Sequence, residues 1–370
     1  MRVAIDCREF CEGRMTGIGR FLSGFIAYAA RERKGWEFLL LGSQDTVFPD
    51  LTEKNLRTLV IRETNTRFWD QVLLPAALRR EKCDLYFSPY NKTCFFSAVP
   101  SIITIHDLIG LIYPGYRERS LLRRLLARLY ALKASAILTV SENSRKDIAG
   151  ILGIERERIF VCVNGIDGEI FYRRAECGRV KEKYGIVKPY VLYVGNSSPH
   201  KNVEGLLKAW SLLDTDIREE HSLVLAGVGG YRLPSKVQGV VIGHVPDQDL
   251  PFLYSGAELF VFPSFYEGFG IPPVEAMACG CPVAASNTSC LPEILGDACS
   301  YFDPARPEDI SGTISSALRD RARREELARK GLERARLFTP ALQAAEIMRV
   351  METVAAGRAR ASGAAAGRAR

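Results

Sequence analysis

Short apolar segments alternate with longer amphipathic segments along most of the chain. In the first part, seven apolar segments predict strands: Val3–Asp6, Phe38–Leu41, Leu59–Arg62, Leu85–Ser88, Ile102–Ile105, Ile137–Val140 and Ile159–Val163. Helical periodicity predicts helices between them: Gly19–Arg31, Phe68–Arg80, Ser120–Lys133 and Asn143–Leu152. Ser141 is predicted to cap the last of these helices. Because the strand segments are apolar on both faces, they are typical of a parallel sheet covered by helices on both sides.

The alternation restarts after a polar connector at 167–188, which mixes charge, glycine and proline without a strong period. Six further strands are predicted: Tyr190–Val194, Leu223–Ala226, Val240–Gly243, Leu259–Pro263, Val283–Ala285 and Ser300–Phe302. Two successive βα series predict an α/β protein with two doubly wound, Rossmann-like domains facing each other across a cleft. Ligands of such sheets bind beyond the carboxyl ends of the strands, so we expect the site there. From Pro307 the pattern is helical, ending near Val354.

The composition is that of a soluble globular protein, with 47% hydrophobic and 25% charged residues among 370. It excludes a disordered chain, a collagen-like repeat and a disulfide scaffold. The ten cysteines contain no C-x-x-C pair, which favours reduced thiols over a zinc site. The N-terminal MRVAIDCREF lacks the apolar core of a signal peptide, and the longest apolar stretch, Ser97–Tyr113, is interrupted by Pro100. We therefore expect a cytoplasmic protein that does not cross a membrane.

The net charge of +7 raises nucleic acid or an anionic membrane as partners. The last fourteen residues, GRARASGAAAGRAR, carry +4 and Arg117–Lys133 carries a net +5, so the rest of the chain sums to −2. This distribution argues against a nucleic-acid partner. The segment 357–370 has no large apolar residue to bury, and we predict a disordered, solvated tail rather than a nucleic-acid arm.

The segment Arg117–Lys133 is predicted as a basic amphipathic helix. A stripe of leucines lies on one face (Leu121, Leu122, Leu125, Leu126 and Leu129), with Arg117, Arg124 and Arg128 on another. The leucine stripe favours an ordinary surface helix that packs its leucines on the sheet. For the arginine face two interpretations stay open: a solvated surface, or contact with anionic phospholipid or a lipid-diphosphate acceptor.

The segment Phe260–Pro282, FVFPSFYEGFGIPPVEAMACGCP, contains the richest candidate chemistry. We predict a strand to Pro263, a glycine-rich turn, and a helix over Pro273–Cys279, with Glu267 on the turn and Glu275 in the first helical turn. Gly268 and Gly270 let backbone approach a ligand closely, and a helix N-terminus binds anions. Two carboxylates beside an anion site suit a sugar nucleotide. The alternative, a helix cap and a surface glutamate, is equally compatible with these residues alone.

The pair Glu267-x7-Glu275 within SFYEGFGIPPVEAMACGCPV resembles the signature of GT4-type retaining glycosyltransferases, which have the GT-B fold. Other matching segments follow in the family order: MRVAIDCREF…TGIGRF, TIHDLIGLIYP, LTVSENSRKDI, VNGID, VGNSSPHKN, VLAG and GHVPDQDL. The resemblance covers about Arg2–Pro340 and is strongest to bacterial enzymes of surface-polysaccharide synthesis, several of them mannosyltransferases. It implies an N-terminal acceptor-side domain at 1–172, a nucleotide-sugar domain at 173–340, and a C-terminal helix at 341–356 that crosses back to the N-domain.

The resemblance also implies how the C-terminal domain binds its donor. Glu267 would hold hydroxyls of the donor sugar, and Glu275 would bind the ribose. Lys201 would neutralise the diphosphate, with His200 beside it. In the Gly268–Gly270 turn, the backbone N–H groups of Phe269 and Gly270 would contact the sugar and phosphate. His244 and Val245 would lie near the base. The sequence departs from many relatives at Asn196, where they have arginine, so phosphate binding would depend more on Lys201.

In the N-terminal domain, the resemblance places the backbone N–H of Gly17 at the phosphate and His106 near the sugar. On residue type alone, His106 is equally compatible with an ordinary core histidine. Gly17 and Gly19 do not begin a dinucleotide fingerprint, because the third glycine is replaced by Leu22. The Asp214-Thr215-Asp216 segment matches an Asp-x-Asp metal pattern, but its charged surroundings favour a surface turn.

The expected activity is transfer of a hexose, mannose first, from a GDP- or UDP-linked sugar to a saccharide or polyprenyl-linked acceptor. The resemblance implies retention of configuration and no metal or other cofactor. A GT-B-fold sugar-nucleotide epimerase and a non-catalytic sugar-nucleotide-binding subunit are the alternatives. The expected location is the cytoplasm, with peripheral contact to the inner membrane through Arg117–Lys133.

Overall fold

The structure is a computed structural model that describes residues 1–12, 16–50, 52–114, 120–235 and 237–368, without the side chains of residue 120 and residues 358–368. The chain forms two compact units, Met1–Gly165 with Pro340–Arg370, and Ile166–Thr339. The first boundary precedes the predicted residue 172 because the residues after Gly165 contact the second unit. The N–H of Ile166 donates to the carbonyl oxygen of Phe338 at 2.8 Å, and the ring centroid of Phe171 lies 6.3 Å from that of Tyr254.

The first unit contains a sheet of seven parallel strands in the order β3-β2-β1-β4-β5-β6-β7. The strands are β1 (Arg2–Asp6), β2 (Glu37–Gly42), β3 (Leu56–Val60), β4 (Leu85–Ser88), β5 (Ser101–Thr104), β6 (Ala136–Thr139) and β7 (Ile159–Val161). All seven predicted strands are present. Only β3 is clearly displaced, since it begins at Leu56 rather than Leu59. It lies at the sheet edge, where partial exposure weakens the apolar pattern that marks a buried strand.

Among the described residues, six α-helices precede the connector. They are α1 (Gly17–Glu32), α2 (Thr66–Phe68), α3 (Leu74–Arg80), α4 (Ile109–Ile112), α5 (Ser120–Lys133) and α6 (Glu142–Leu152). The predicted cap of α6 is confirmed, because the hydroxyl of Ser141 accepts the N–H of Ser144 at 3.1 Å.

The single helix predicted over Phe68–Arg80 is divided by a π-helical turn at Trp69–Leu73 between α2 and α3. The N–H of Leu74 donates to the carbonyl oxygen of Trp69, five residues back. Pro75 follows at once and has no N–H to continue a four-residue ladder. The wider turn buries the Trp69 ring, which lies 3.6 Å from the Arg8 guanidinium carbon.

The second unit contains six parallel strands in the order β10-β9-β8-β11-β12-β13. They are β8 (Tyr190–Val194), β9 (Ser222–Ala226), β10 (Gly239–Ile242), β11 (Leu259–Phe262), β12 (Val283–Ser286) and β13 (Cys299–Phe302). Its helices are α7 (Gly178–Lys183), α8 (Val203–Leu212), α9 (Thr215–Glu220), α10 (Leu250–Gly256), α11 (Ile271–Ala278), α12 (Leu291–Leu295), α13 (Pro307–Arg319) and α14 (Arg321–Ala335). Both predicted parallel sheets are therefore present, each a doubly wound α/β layer.

The last helix, α15 (Pro340–Arg368), belongs to the first unit. The side chain of Gln343 anchors it by donating to the carbonyl oxygen of Phe21 at 2.8 Å and accepting the N–H of Gly165 at 2.7 Å. Ile347 and Met351 join the core that contains Phe25. The helix is longer than the predicted 341–356, and the predicted disordered tail 357–370 is helical to Arg368. Alanine and arginine make up most of this segment and have high intrinsic helix propensity, which favours continuation of the helix.

The leucines of α5 are exposed, which contradicts the predicted packing on the sheet. The exposed fractions are 82% for Leu121, 66% for Leu122, 53% for Leu125, 38% for Leu126 and 41% for Leu129. The helix instead buries the small side chains of Ala127 and Ala131, which let it approach the core closely. Arg124 and Arg128 are exposed as well, whereas Arg117 lies outside the described residues.

No helix among the described residues is both long and apolar enough to cross a membrane. The ten cysteines are all free thiols, and eight of them are buried; Cys11 is exposed and Cys177 is partly exposed. Burial raises the pKa of the Cys279 thiol to about 12. The eight buried thiols pack as small apolar groups in the core.

Candidate active site

The candidate donor site lies at the carboxyl ends of β8 and β11, in the middle of the second sheet. From β8 the chain extends the sheet through β9 to β10, and it then returns to add β11 on the other side of β8. The strand order reverses at this point, where loops leave in opposite directions and ligands of doubly wound sheets bind. The two loops concerned are 195–202 and 263–270, which contain Lys201 and Glu267.

The structure brings Lys201 and Glu267 into direct contact. The ammonium Nζ of Lys201 donates to Oε1 of Glu267 at 2.7 Å, and the two side chains are only 15% and 12% exposed. The Lys201 Nζ also lies 5.2 Å from the centroid of the Phe262 ring. Partial burial strengthens the attraction between the charges compared with a surface pair. A lysine and a carboxylate that are 66 residues apart in sequence thus form one site.

Hydrogen bonds between the two loops position this ion pair. The N–H of Phe265 donates to the carbonyl oxygen of His200 at 2.8 Å, and the N–H of Glu267 donates to the hydroxyl of Ser289 at 3.1 Å. Ser289 has a positive φ of 52°, an uncommon conformation for a residue with a side chain. Ser289 was not identified from the sequence, because a single serine after β12 does not belong to a recognisable motif.

Asn196 organises the loop after β8. Its side-chain oxygen accepts the N–H of Ser198 at 3.0 Å, and its carbonyl oxygen accepts the hydroxyl of Tyr193 at 2.7 Å. An Asx turn of this kind directs the chain into the short 3₁₀ turn at Pro199–Lys201. Asn196 therefore has a turn-forming role in the loop that leads to Lys201.

Helix α11 begins at Ile271, earlier than the predicted Pro273, and Gly270 precedes it with a φ of +87°. A Cβ atom at Gly270 would lie 2.8 Å from Cδ2 of Leu291, so the position excludes a side chain by conformation and by space. Since Pro272 and Pro273 have no N–H, the donors near this helix start come from the turn before it and from Ile271. The structure thus places the predicted backbone donors Phe269 and Gly270 directly before the helix.

Glu275 is buried in the second turn of α11, not in the first turn as predicted, because the helix starts earlier. It is 2% exposed, and its Oε2 accepts the hydroxyl of Tyr254 at 2.9 Å. Tyr254 lies on α10 and was not identified from the sequence. Buried carboxylates are rare unless hydrogen-bonded, so Glu275 is a positioned acceptor and not the surface glutamate of the alternative interpretation.

The other residues predicted in the second unit are less closely associated. His200 is partly exposed, next to Lys201, whereas His244 is exposed and Val245 is buried. His244 and Val245 follow β10, the edge strand, two strands away from β8. Gly268 is buried in the turn after Glu267. Nothing in the structure assigns a base contact to His244 or Val245, and that role stays a prediction.

The Asp-x-Asp segment begins a helix on the surface. Asp214 is the N-cap residue of α9, and both Asp214 and Asp216 accept hydrogen bonds from Nη2 of Arg319, at 2.8 and 2.9 Å. Their side chains are 67% and 55% exposed. Among the described residues no group of three or more His, Cys, Asp or Glu side chains could hold a metal ion. The segment is paired with an arginine, as expected for a surface feature.

In the first unit, Gly17 is the exposed first residue of α1. The hydroxyl of Thr16 caps this helix by accepting the N–H of Gly19 at 3.0 Å, and it donates to the carboxylate of Glu9. Glu9 also forms a hydrogen bond with Tyr90. Glu9 and Tyr90 follow β1 and β4, so they lie at the carboxyl edge of the sheet. Neither residue was identified from the sequence as part of a site, because each is a single side chain in a loop.

His106 follows β5 at the same sheet edge. Its Nε2 lies 3.2 Å from the carbonyl oxygen of Pro89, and its ring contacts that of Phe21 edge-on at 5.2 Å. Burial lowers the pKa of His106 to about 4, although the Pro89 carbonyl and the charge of Glu9 oppose this shift. The imidazole is therefore neutral at pH 7. Because Nε2 faces a carbonyl oxygen and must carry the proton, Nδ1 is the hydrogen-bond acceptor of the ring.

Comparisons with known proteins agree with this geometry. Residues 17–169 match the family model described as Glycosyltransferase Family 4, and residues 179–334 match the model Glycosyl transferases group 1. The O-antigen chain mannosyltransferase B of Escherichia coli is 38% identical over 277 residues, which cover 71% of this chain and 72% of that protein.

Solved structures show the same fold. Sucrose-phosphate synthase from Thermosynechococcus elongatus has a TM-score of 0.75 at 18% identity, covering 96% of this chain and 99% of that one. HepE from Anabaena in complex with UDP-glucose has a TM-score of 0.74 at 17% identity, covering 95% and 100%. The predicted GT-B fold, with two Rossmann-like domains, is confirmed. From its sequence matches and its fold together, the chain is a glycosyltransferase and belongs to glycosyltransferase family 4.

Proposed function

We propose that the protein transfers a hexose, mannose as the first candidate, from a nucleoside-diphosphate sugar to a saccharide or polyprenyl-linked acceptor in polysaccharide synthesis. The observation that carries the proposal is the largely buried ion pair between Lys201 and Glu267. Glu267 lies three residues before Gly270, which precedes α11. This arrangement provides a cation for a diphosphate and a carboxylate for sugar hydroxyls a few ångströms apart. Sugar nucleotides present those two groups next to each other.

The ion pair leaves Lys201 able to bind phosphate. An ammonium group has three N–H donors, and Glu267 uses one of them in the described contact. The remaining donors, with the backbone N–H groups of Phe269 and Gly270, would face the phosphate oxygens. Negative charge grows on the diphosphate as the glycosidic bond breaks, and pre-positioned donors stabilise it without having to reorganise. This scheme needs no metal ion, and full activity in EDTA is the expected result.

Retention of configuration is what the family resemblance implies, and the roles proposed for the carboxylates limit how it can be achieved. A double-displacement mechanism needs one carboxylate to attack the sugar and another group to protonate the leaving oxygen. Glu275 is buried and bonded to Tyr254, and we propose that it binds the ribose, so it would not act as that second group. We propose instead that the acceptor attacks from the face of the leaving group, and that the departing phosphate takes the acceptor proton. An NMR spectrum showing an inverted anomeric centre in the product would refute this.

The donor would be GDP- or UDP-linked. The E. coli relative is named a mannosyltransferase, whereas the Anabaena neighbour was solved with UDP-glucose, so the two comparisons point to different donors. A thermal-shift screen of GDP-mannose, UDP-glucose and ADP-glucose would separate them. A ligand at a hundred times its Kd stabilises the folded state by about 2.7 kcal/mol, which such a screen detects.

Two other functions predict different products from the same donor. A sugar-nucleotide epimerase would convert the donor without an acceptor and would release nucleotide only as a side reaction. A non-catalytic subunit would bind the donor without turnover. Incubation with donor alone and then with acceptor, followed by chromatography of nucleotide and sugar products, distinguishes these outcomes. Transfer that depends on the acceptor is the expected result.

Helix α5 would place the protein on a membrane surface. Its exposed leucines lie beside exposed Arg124 and Arg128, a combination that inserts apolar groups among acyl chains and pairs cations with anionic headgroups. We expect flotation with vesicles containing anionic phospholipid. Replacement of Leu121, Leu122 and Leu125 by serine should abolish flotation without lowering thermal stability, since these side chains contribute little to the core. Unchanged flotation of this variant would refute the assignment.

A further inference from the structure

A cavity of about 320 Å³ lies in the first unit, beside the edge that carries His106. Two of its lining residues, Asn91 and Asp107, directly follow Tyr90 and His106 in the chain. The roles proposed above leave this cavity unassigned. Its volume is near the lower end of the roughly 300–1,000 Å³ typical of ligand pockets. It would therefore hold one segment of an acceptor and not a whole oligosaccharide.

The lining combines polar and apolar side chains from different elements. Asn91 and Asp107 come from loops at the carboxyl edge of the sheet, whereas Leu126 and Tyr130 come from α5. The Tyr130 ring stacks on Phe95 at a centroid distance of 4.9 Å, so this wall is fixed before any ligand binds. The cavity therefore matches a ligand that carries both polar groups and hydrocarbon.

Helix α5 connects the cavity to the exposed leucine surface. Arg123 also lines the cavity, on the helix whose Leu122 and Leu125 are 66% and 53% exposed. Arg123 brings a guanidinium to the cavity, and guanidinium groups bind phosphate through paired N–H donors. A molecule bound at α5 and in the cavity could thus contact apolar side chains, a cation and the polar residues that follow Tyr90 and His106.

We propose that this cavity binds the aglycone of a lipid-phosphate-linked saccharide acceptor. The phosphate would contact Arg123, the first carbons of the lipid would contact Leu126 and Tyr130, and the saccharide would extend toward Asn91 and Asp107. The inference rests on the proposed function. It selects, among saccharide acceptors, those joined through phosphate to a hydrocarbon chain.

Gly110 offers a direct test, because it lines the cavity and a Cβ atom added there would meet no atom within 4 Å. Gly110→Leu would add side-chain volume at the cavity from a position where the Cβ atom has open space. Gly150→Leu is the matched control, since Gly150 is also helical and equally open but lies on α6, outside the cavity. With decyl diphosphate as the probe, calorimetry should show binding to the wild type and to Gly150→Leu. Binding to Gly110→Leu should be at least about tenfold weaker, equivalent to 1.4 kcal/mol.

Charge is tested in the same way. Arg123→Gln should weaken decyl diphosphate binding by about tenfold, whereas Arg128→Gln removes the same charge from α5 outside the cavity and should change it little. Wild-type affinity in both Gly110→Leu and Arg123→Gln would overturn the proposal. An equal loss in Arg128→Gln would also overturn it, because it would show that the probe binds the exposed surface of α5 and not the cavity.

Kinetics separate this inference from the proposed function. A mannose-terminated disaccharide is offered as its methyl glycoside and as its decyl diphosphate. The wild type should have a lower acceptor KM for the diphosphate, and Gly110→Leu should remove that preference while the donor KM stays unchanged. Transfer with equal acceptor KM values in the wild type would refute the aglycone site alone. Donor binding without transfer to either acceptor would refute the proposed function.

Discussion

Replacement of Lys201 by alanine tests the central ion pair of the donor site. The change removes the ammonium that lies 2.7 Å from Glu267 and leaves that carboxylate, 12% exposed, without its cation. Two effects follow, and they can be measured separately. The protein should lose stability, because the largely buried Glu267 carboxylate no longer has a positive partner. Under the proposed assignment the reaction should slow, because the leaving diphosphate loses a positive donor.

The magnitude of each effect follows from the burial of the pair. Breaking an exposed ion pair costs roughly 0–1 kcal/mol and breaking a fully buried one roughly 3–5 kcal/mol. At 15% and 12% exposure we expect a loss of about 1–3 kcal/mol for Lys201→Ala, which lowers Tm by several degrees. Loss of one pre-positioned donor to a developing oxyanion costs roughly 10²- to 10³-fold in rate. We therefore expect kcat/KM to fall by about that factor.

A double variant separates the two effects. Lys201→Ala combined with Glu267→Gln removes the unpaired charge, so it should regain most of the lost stability. It should regain no activity, because the diphosphate still lacks its cation. Initial rates at varied donor concentration, with Tm from calorimetry, provide both readouts. Lys208→Ala, an exposed lysine on α8, is the control and should match the wild type. Wild-type turnover by Lys201→Ala would refute the phosphate assignment.

Three further predictions use the same assays. Glu275→Gln should raise the donor KM by about 10- to 100-fold with a smaller change in kcat, because it loses a charged acceptor of a substrate hydroxyl; an unchanged donor KM would contradict the ribose contact. Gly270→Ala should destabilise the protein by roughly 1–3 kcal/mol, because φ is +87° at this position and the added Cβ would lie 2.8 Å from Cδ2 of Leu291. Its control is Gly150→Ala, at an open helical position, which should stabilise the protein by up to about 1 kcal/mol. Burial lowers the pKa of His106 to about 4 in the folded protein, compared with its ordinary value of 6.5. Between these pH values the unfolded chain binds a proton that the folded protein does not. The contribution of His106 to stability should therefore be complete above pH 6.5 and be lost as the pH falls toward 4. His106→Gln should flatten the slope of unfolding free energy between these pH values, and an unchanged slope would contradict the shift.

The fold was largely predictable because its signals are local. Most of the described strands are the short apolar runs that a helix-covered parallel sheet requires, and the cap at Ser141 follows from residue type alone. Departures occur where tertiary context competes with the local pattern. The π-helical turn at Trp69–Leu73 depends on packing as well as on Pro75, and an edge strand such as β3 shows only part of the apolar signal.

The donor site was predictable in its residues but not in its contacts. The motif around Glu267 and Glu275 identified both carboxylates, yet their surroundings come from distant positions. Tyr254 reaches Glu275 from α10, and Ser289 holds the Glu267 backbone from the loop after β12. Neither residue belongs to a recognisable pattern, because a single hydroxyl can be placed by many different sequences. Residue type therefore identifies the candidate groups, and the fold determines which groups hold them in place.

Helix α5 shows why amphipathicity alone does not determine which face is buried. Its leucine stripe predicts a buried face, but the helix buries Ala127 and Ala131 and exposes the leucines. Small side chains permit a closer approach to the core, so the inward face can be the one with less apolar area. The apolar area left outside then requires another explanation. Leucines flanked by arginines favour an anionic lipid surface over the interior of a protein, since arginine is rarely buried unless paired. Flotation of the serine variant decides whether that explanation holds.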